Sequence, residues 1–279
     1  MSRAGGHEPT HTTEEWPSGS GRQHGRLNLD LAPVTGVTRP LLCQAHPPLQ
    51  LSRVRYDIAQ QPEMAHLTIL HLGGILAGDR YDFQVTLAPK AAAQISGAAA
   101  TQVYRMPAGD AQQQIHIRMA AGSRLRWLPG PLILGSGARF TQQIRIELAD
   151  SARLAFLDVL VPGRLAHGEL YRFAAYRHRL TVHDPHGRLL YTEQALIEPQ
   201  RRNPARLGSL ATTPILGSLY LLGDTSHTQH AICRSAEMDD PLLGISSLPN
   251  NCGLLIRARG TSAYALTRRL TSILEEIAL

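Results

Sequence analysis

The chain is poor in lysine and in aromatic residues. Lys90 is the single lysine among 28 basic residues, aromatic residues make up 5% of the 279 positions, and the formal net charge is +6. A positive charge can favour an acidic partner surface or nucleic acid. The arginines are scattered, no predicted helix carries a basic stripe, and few rings are present for bases to stack on, so nucleic-acid binding is disfavoured.

Cysteine is equally scarce. Cys43, Cys233 and Cys252 lie far apart, and none belongs to a CxxC pair, so neither a disulfide framework nor a cysteine metal motif is expected. No basic-then-apolar leader is recognised at the N-terminus. The longest uncharged stretch, 207–223, contains Pro214 and several glycines, which argues against a membrane span. A reducing cytoplasm is the expected location.

Strand signals dominate the pattern of apolar residues. Residues 1–25 are polar and are predicted to be a disordered tail, whereas 26–279 are predicted to form a single domain. Apolar residues alternate with period two along most of that domain, and they change to helical spacing only after Thr261. A mainly β protein closed by one C-terminal α-helix is therefore predicted. His227 and His230 lack a third ligand candidate nearby, so no closed metal site is expected.

One glycine-rich corner precedes an alternating strand. Gly73, Gly74 and Gly78 fall within six residues, and Asp79 follows them directly. Glycine allows backbone conformations that a Cβ forbids, so a tight corner is expected. Asp79 either hydrogen-bonds the amides of the turn, which is the commoner case, or faces the interior.

A second glycine-bracketed segment contains two opposite charges. Gly163 and Gly168 flank Arg164, and Glu169 follows. The simple interpretation is a bend held by an Arg164–Glu169 ion pair, and the functional one makes Glu169 a partner of Asp79 across the interior.

A third carboxylate is placed by periodicity. Asp158 continues the inward face of Leu154 and Phe156, and a buried charge must be paired, neutralised or metal-bound.

Three stretches together resemble the UreD family of urease accessory proteins, called UreH in some organisms. They are Leu72–Asp79, Ala99–Arg105 and Gly163–Glu169, in the family's order and spacing. The resemblance implies a non-enzymatic maturation factor built as a two-layer, β-helix-like stack of strands with terminal helices. It also implies binding to UreF, recruitment of UreG, and docking on apo-urease so that nickel reaches its active site.

The resemblance further implies an internal passage for the metal. By motif, Asp79, Glu169 and Thr101 are carried over as residues along it, and Asp158 is added because it points inward. No tightly bound cofactor is expected, only transient nickel(II), since a protein that passes the ion onward should avoid a closed imidazole and thiolate site. Gln102 stands where the family usually has lysine, and Gly130 where it has an acidic or amide residue, which leaves a divergent paralogue open.

Two alternatives remain at this point. The first is a β-helical glycosidase that uses Asp79 and Glu169 as acid and base, although the shortage of aromatic residues disfavours a sugar platform. The second is a scaffold that joins UreF and UreG to urease without conducting metal.

Overall fold

The computed structural model describes residues 22–57, 61–223 and 242–276. In chain order its strands are β1 (His24–Val34), β2 (Val37–His46), β3 (Leu49–Leu51), β4 (Arg55–Asp57), β5 (Gln61–His71), β6 (Arg80–Leu87), β7 (Ala92–Gly97), β8 (Thr101–Val103), β9 (Ala111–Met119), β10 (Arg124–Leu128), β11 (Leu132–Leu134), β12 (Arg139–Leu148), β13 (Arg153–Val161), β14 (Ala175–His183), β15 (Leu189–Ile197), β16 (Ile215–Leu222), β17 (Leu243–Ser247) and β18 (Gly253–Gly260). The helices are α1 (Ser209–Thr212) and α2 (Ala263–Glu276), with 3-10 turns at Leu165–His167, Pro204–Arg206 and Pro249–Asn251.

The strands form two facing sheets. The first sheet has the order β15-β14-β12-β9-β6-β1-β2, and the second has β17-β18-β16-β13-β10-β7-β5-β3. The second sheet also includes the short strands β4, beside β5, and β8 and β11, which continue β7 and β10. From β5 to β14 the chain passes back and forth between the sheets, and each strand lies parallel to the strand of the previous coil. Antiparallel strands close both ends of this stack. The predicted mainly β, β-helix-like architecture is therefore confirmed.

Period-two alternation fills the space between the sheets. In β12, Phe140, Gln142, Ile144 and Ile146 face inward and are buried, while Thr141, Gln143 and Arg145 face outward. Rings from both sheets then meet in the interior, where the centroid of Trp127 lies 6.1 Å from that of Phe83. Each fully buried side chain of this size contributes about 1.5–3 kcal/mol, so the alternating pattern itself stabilises the stack.

Helix α2 covers the outer face of the second sheet, as the helical spacing predicted. Leu266, Leu270, Ile273 and Leu274 are buried against β13, β16 and β18. The helix approaches closely at Gly217, where an added Cβ would lie 2.6 Å from Leu270 Cδ1.

The N-terminal and C-terminal strands differ from the expected pattern. Prolines such as Pro33 and Pro40 are typical of edge strands and loops, yet β1 lies between β6 and β2; its Pro33 stands near the end of the strand, where few ladder bonds are lost. Strands β17 and β18 were not predicted. Residues 1–21, with most of the predicted tail, and the 227–230 histidine pair lie outside the described residues, whereas β1 begins at His24. No helix in the described ranges is long and apolar enough to span a membrane.

Candidate functional site

Asp79 lies at the corner between β5 and β6, and its side chain is engaged there. Its Oδ2 accepts hydrogen bonds from Leu76 N at 2.8 Å and from the Tyr81 hydroxyl at 3.2 Å. Its Oδ1 accepts one from Gln23 N at 3.0 Å. The residue is only 2% exposed. The carboxylate therefore ties the corner to the following strand and to the segment that enters β1, 56 residues away in sequence.

Glu169 occupies the connection between β13 and β14. Arg164 donates from both Nε and Nη2 to its two carboxylate oxygens, the Nε bond being 2.9 Å long, and Ser136 N donates to Oε2 at 3.2 Å. The Arg164 guanidinium is the main cause that lowers the pKa of Glu169 to about 2. The carboxylate is thus held in its charged form by a bidentate clamp.

The predicted glycines lie where the backbone leaves little choice. Gly73, Gly78, Gly163 and Gly168 all have positive φ. An added Cβ would lie 2.0 Å from the Tyr104 ring at Gly74, and 2.1 Å from the carbonyl oxygen of Glu169 at Gly163. These glycines shape the two corners that hold Asp79 and Glu169.

The two edge carboxylates do not pair with each other. Within the described ranges, Asp79 and Glu169 share no hydrogen-bond partner, and each uses its oxygens on its own loop and its own neighbours. Asp79 accepts a hydrogen bond from a backbone amide of its own turn, and Glu169 forms the ion pair with Arg164 that the simpler interpretation predicted.

Asp158 is the carboxylate that faces the interior without a close partner. It lies on β13, and among the described residues it accepts no hydrogen bond; the nearest basic nitrogen is His178 Nδ1, 4.0 Å from Oδ2. Its side chain is 18% exposed. Burial raises the pKa of Asp158, and His178 partly opposes that shift.

Two cavities share Asp158 as a lining residue. The larger, about 490 Å³, also contacts His178, Glu193 and Arg257. The smaller, about 230 Å³, runs along Trp127 and other mostly apolar residues. Asp158 thus borders both cavities, and the larger one adds ionisable side chains to a lining that is also largely apolar.

A chain of polar side chains continues from Asp158 along the first sheet. Gln142 Nε2 donates to Gln113 Oε1 at 2.9 Å, and the Tyr176 hydroxyl donates to Gln142 Oε1 at 2.8 Å. His178 Nδ1 lies 3.2 Å from both Tyr176 Oη and Gln142 Oε1. Because burial and the nearby Asp158 charge raise the pKa of Tyr176, that residue keeps its proton as a donor.

Glu193 forms the far wall of the larger cavity. Its Oε2 accepts from Tyr191 at 2.8 Å and from Tyr220 at 3.0 Å, while Arg257 donates to Oε1. Unlike Asp158, this carboxylate is fully engaged.

The remaining predicted site residue, Thr101, begins β8 and lines the smaller cavity. Gly130, the position at which the resemblance implied an acidic or amide residue, lines the same cavity. Gln102 instead lines a separate surface depression beside Glu169. The charge in the smaller cavity therefore comes chiefly from Asp158.

Sequence reasoning missed the polar neighbours of Asp158, although their signal was present. Gln142 follows Phe140 on the inward face of β12, and His178 follows Tyr176 on that of β14. A polar residue at an inward position is the same sign that identified Asp158. Glu193 carried no comparable signal, since β15 is only partly buried.

The larger cavity brings one carboxylate and one imidazole together, since Asp158 and His178 line it with their side chains 4.0 Å apart. No cluster of three or more His, Cys, Asp or Glu side chains able to hold a metal is found across 22–57, 61–223 and 242–276. One free carboxylate and one imidazole are ligands that nickel(II) accepts, but two ligands bind weakly.

Comparison with known proteins identifies the family. The family model described as UreD urease accessory protein matches residues 23–278. Over 271 residues the chain is 30% identical to urease accessory protein UreD 2 of Brucella canis, and this alignment covers 94% of the chain and 89% of the relative. It is 35% identical over 253 residues to urease accessory protein UreD of Anaeromyxobacter sp., an alignment that covers 88% of the chain and 82% of the relative. Urease accessory protein UreD of Haloarcula marismortui is 31% identical to the chain over 201 residues, an alignment that covers 71% of the chain and 67% of the relative.

Proposed function

Because the chain belongs to the UreD family of urease accessory proteins, we propose that it matures urease by binding UreF and, through UreF, UreG and the urease apoprotein. In this proposal the assembled complex works in the cytoplasm and delivers nickel to the urease active site. The support is the family match along nearly the whole chain together with the printed names of the relatives.

We also propose that nickel(II) passes through the interior by way of Asp158. The single observation that supports this role is a carboxylate without a hydrogen-bond partner in the described chain, at the junction of two cavities. Partial desolvation of a carboxylate that lacks a hydrogen-bond donor costs stability, and a visiting cation would offset that cost.

The cavities have the chemistry of a wet path. His71 Nε2, Trp127 Nε1 and His178 Nε2 are buried and have no partner among the described residues. Buried polar atoms of this kind are usually satisfied by water, and a hydrated ion needs water along its route. His178, 4.0 Å from Asp158, would supply the imidazole that nickel prefers over a purely carboxylate environment.

Asp79, Glu169 and Thr101 take different parts in this proposal. Thr101 lines the smaller cavity and can contact a passing hydrated ion. Asp79 and Glu169 hold the loops at the edge of the stack, because their oxygens are already engaged. No tightly bound cofactor is proposed, and nickel is cargo.

The test is urease activation with Asp158→Asn and Asp158→Ala, expressed together with the urease and accessory genes. The nickel content and the activity of urease should each fall by about 5- to 30-fold, which is the change that about 1–2 kcal/mol of lost binding produces. Asp82→Asn is the matched control, since Asp82 faces outward and contacts His24 at 2.5 Å. Co-purification with tagged UreF should be unchanged in all variants.

The outcomes separate the transit role from the scaffold role. Normal urease activity in both Asp158 variants would remove the transit role and leave scaffolding. Failure of the unaltered chain to associate with UreF at micromolar concentrations would overturn the maturation complex itself.

The glycosidase alternative finds no support in the site geometry. A glycosidase general acid needs a raised pKa, whereas Arg164 lowers the pKa of Glu169 to about 2. Turnover of any glycoside that is lost in Glu169→Gln would revive that alternative.

A further inference from the structure

The outer face of the first sheet gathers arginines that are scattered in the sequence. Strand alternation turns seven of them to the same exposed side, and this set is called the arginine face: Arg26, Arg80, Arg118, Arg139, Arg145, Arg177 and Arg179. The acidic residues on the same side are Asp30, Asp82 and Glu147, with Glu198 just beyond β15. The face is therefore strongly cationic.

Much of that positive charge is not neutralised within the described chain. Glu147 is shared by Arg118 at 3.4 Å and Arg145 at 3.0 Å, and Arg177 reaches Glu198 only at 3.7 Å. Arg179 has no acidic partner within 4 Å among the described residues. A guanidinium left to solvent can form a bidentate pair with a carboxylate from outside.

The strand register concentrates these groups at one place. Arg177 and Arg179 lie two residues apart on β14, where Thr141 and Gln143 of β12 are their lateral neighbours. A depression of about 400 Å³ opens there, and on the other side it is bounded by Gln194 and Leu196 of β15. The depression thus combines two cations, amide groups and one exposed leucine.

We infer that the arginine face is a docking surface for an acidic segment of a partner protein, with Arg177 and Arg179 as its main contacts. Charge complementarity selects Asp and Glu side chains, and the amides of Gln143 and Gln194 add neutral hydrogen bonds beside them. Nucleic acid is the less suitable occupant, since the outward positions of these strands carry no Phe, Tyr or Trp on which a base could stack. This inference is independent of nickel passage.

The experiment measures binding of fluorescent poly-L-glutamate to the full chain by anisotropy, with Arg177→Glu/Arg179→Glu as the test variant. Arg53→Glu/Arg202→Glu is the control, because both residues are exposed, lie outside this face and give the same change in net charge. The test variant should bind at least about tenfold more weakly, while the control should stay within about twofold. Circular dichroism checks that both variants are folded.

Each result bears on the inference. Equal weakening in test and control variants would show that only net charge matters, and no measurable binding by the unaltered chain would show that the face does not hold an acidic segment; either result would overturn the inference. Tighter binding of a duplex DNA of equal charge, lost in the test variant, would overturn the choice of a protein partner. Loss confined to the test variant, and weakening with salt as a charged contact requires, would support the inference.

Discussion

Replacing Asp79 by alanine should destabilise the fold, because three donors would lose one acceptor. The Tyr81 hydroxyl and Leu76 N would each be left without their partner at a cost of about 1–3 kcal/mol. Gln23 is exposed, so water can replace its lost bond at a smaller cost. The free energy of unfolding should therefore fall by about 3–5 kcal/mol. Asp79→Asn keeps one acceptor oxygen and should lose only about 1–2 kcal/mol.

Urea unfolding followed by tryptophan fluorescence measures this difference. Trp127 is 2% exposed and packs between the sheets, so its emission should report the loss of the core. A Trp16→Phe background leaves Trp127 as the single tryptophan. A loss below about 1 kcal/mol in Asp79→Ala would refute the structural role, since it would mean that the three bonds contribute almost nothing. If urease activation also collapsed in that folded variant, Asp79 would have to act on the cargo or a partner.

The other two carboxylates give opposite pH signatures. Arg164 lowers the pKa of Glu169 from 4.5 to about 2, so its stabilisation is complete above about pH 4.5 and is lost as the pH falls towards 2. Because the Arg164 side chain is 42% exposed, Glu169→Gln should lower the free energy of unfolding by only about 1–2 kcal/mol at pH 7. Denaturation of the variant and the unaltered chain should show this loss shrinking between pH 7 and pH 3. A loss that is the same at both pH values would contradict the prediction. Burial raises the pKa of Asp158 above 3.8, so its charged form opposes folding at neutral pH. Asp158→Asn should therefore be at least as stable as the unaltered chain at pH 7, and any gain in stability should vanish below about pH 3.8. Thermal melts at pH 7 measure this. A variant that melts at a lower temperature than the unaltered chain would contradict the absence of a partner for the Asp158 carboxylate.

These predictions separate residues that support the fold from one that burdens it. The contacts of Asp79 and Glu169 stabilise loops, whereas Asp158 has a buried charge and no hydrogen bond in the described chain. Functional groups are often kept at a cost to stability, and the rest of the fold compensates for them. Asp158 fits that pattern, which is why the nickel proposal depends on it.

Local patterns in the sequence were sufficient for most of the strands before β17, for the closing helix and for the inward position of Asp158. Period two and period 3.6 are properties of neighbouring residues, so they need no knowledge of the fold. The Arg164–Glu169 ion pair was also within reach, since its members are five residues apart. The resemblance to the UreD family then implied that the strands stack in two β-helix-like layers.

Long-range placement was decided only by the tertiary structure. Asp158 meets His178 because β13 and β14 belong to opposite sheets of one coil, and the bond from Gln23 to Asp79 spans 56 residues. Strands β17 and β18 and the internal position of β1 depend on pairing that no local period encodes. The arginine face has the same origin, since outward positions on the five parallel strands β1, β6, β9, β12 and β14 become neighbours only when register aligns them. Sequence therefore determined which side of each strand is polar, and only the stacking of the coils decided which polar groups share a cavity or a surface.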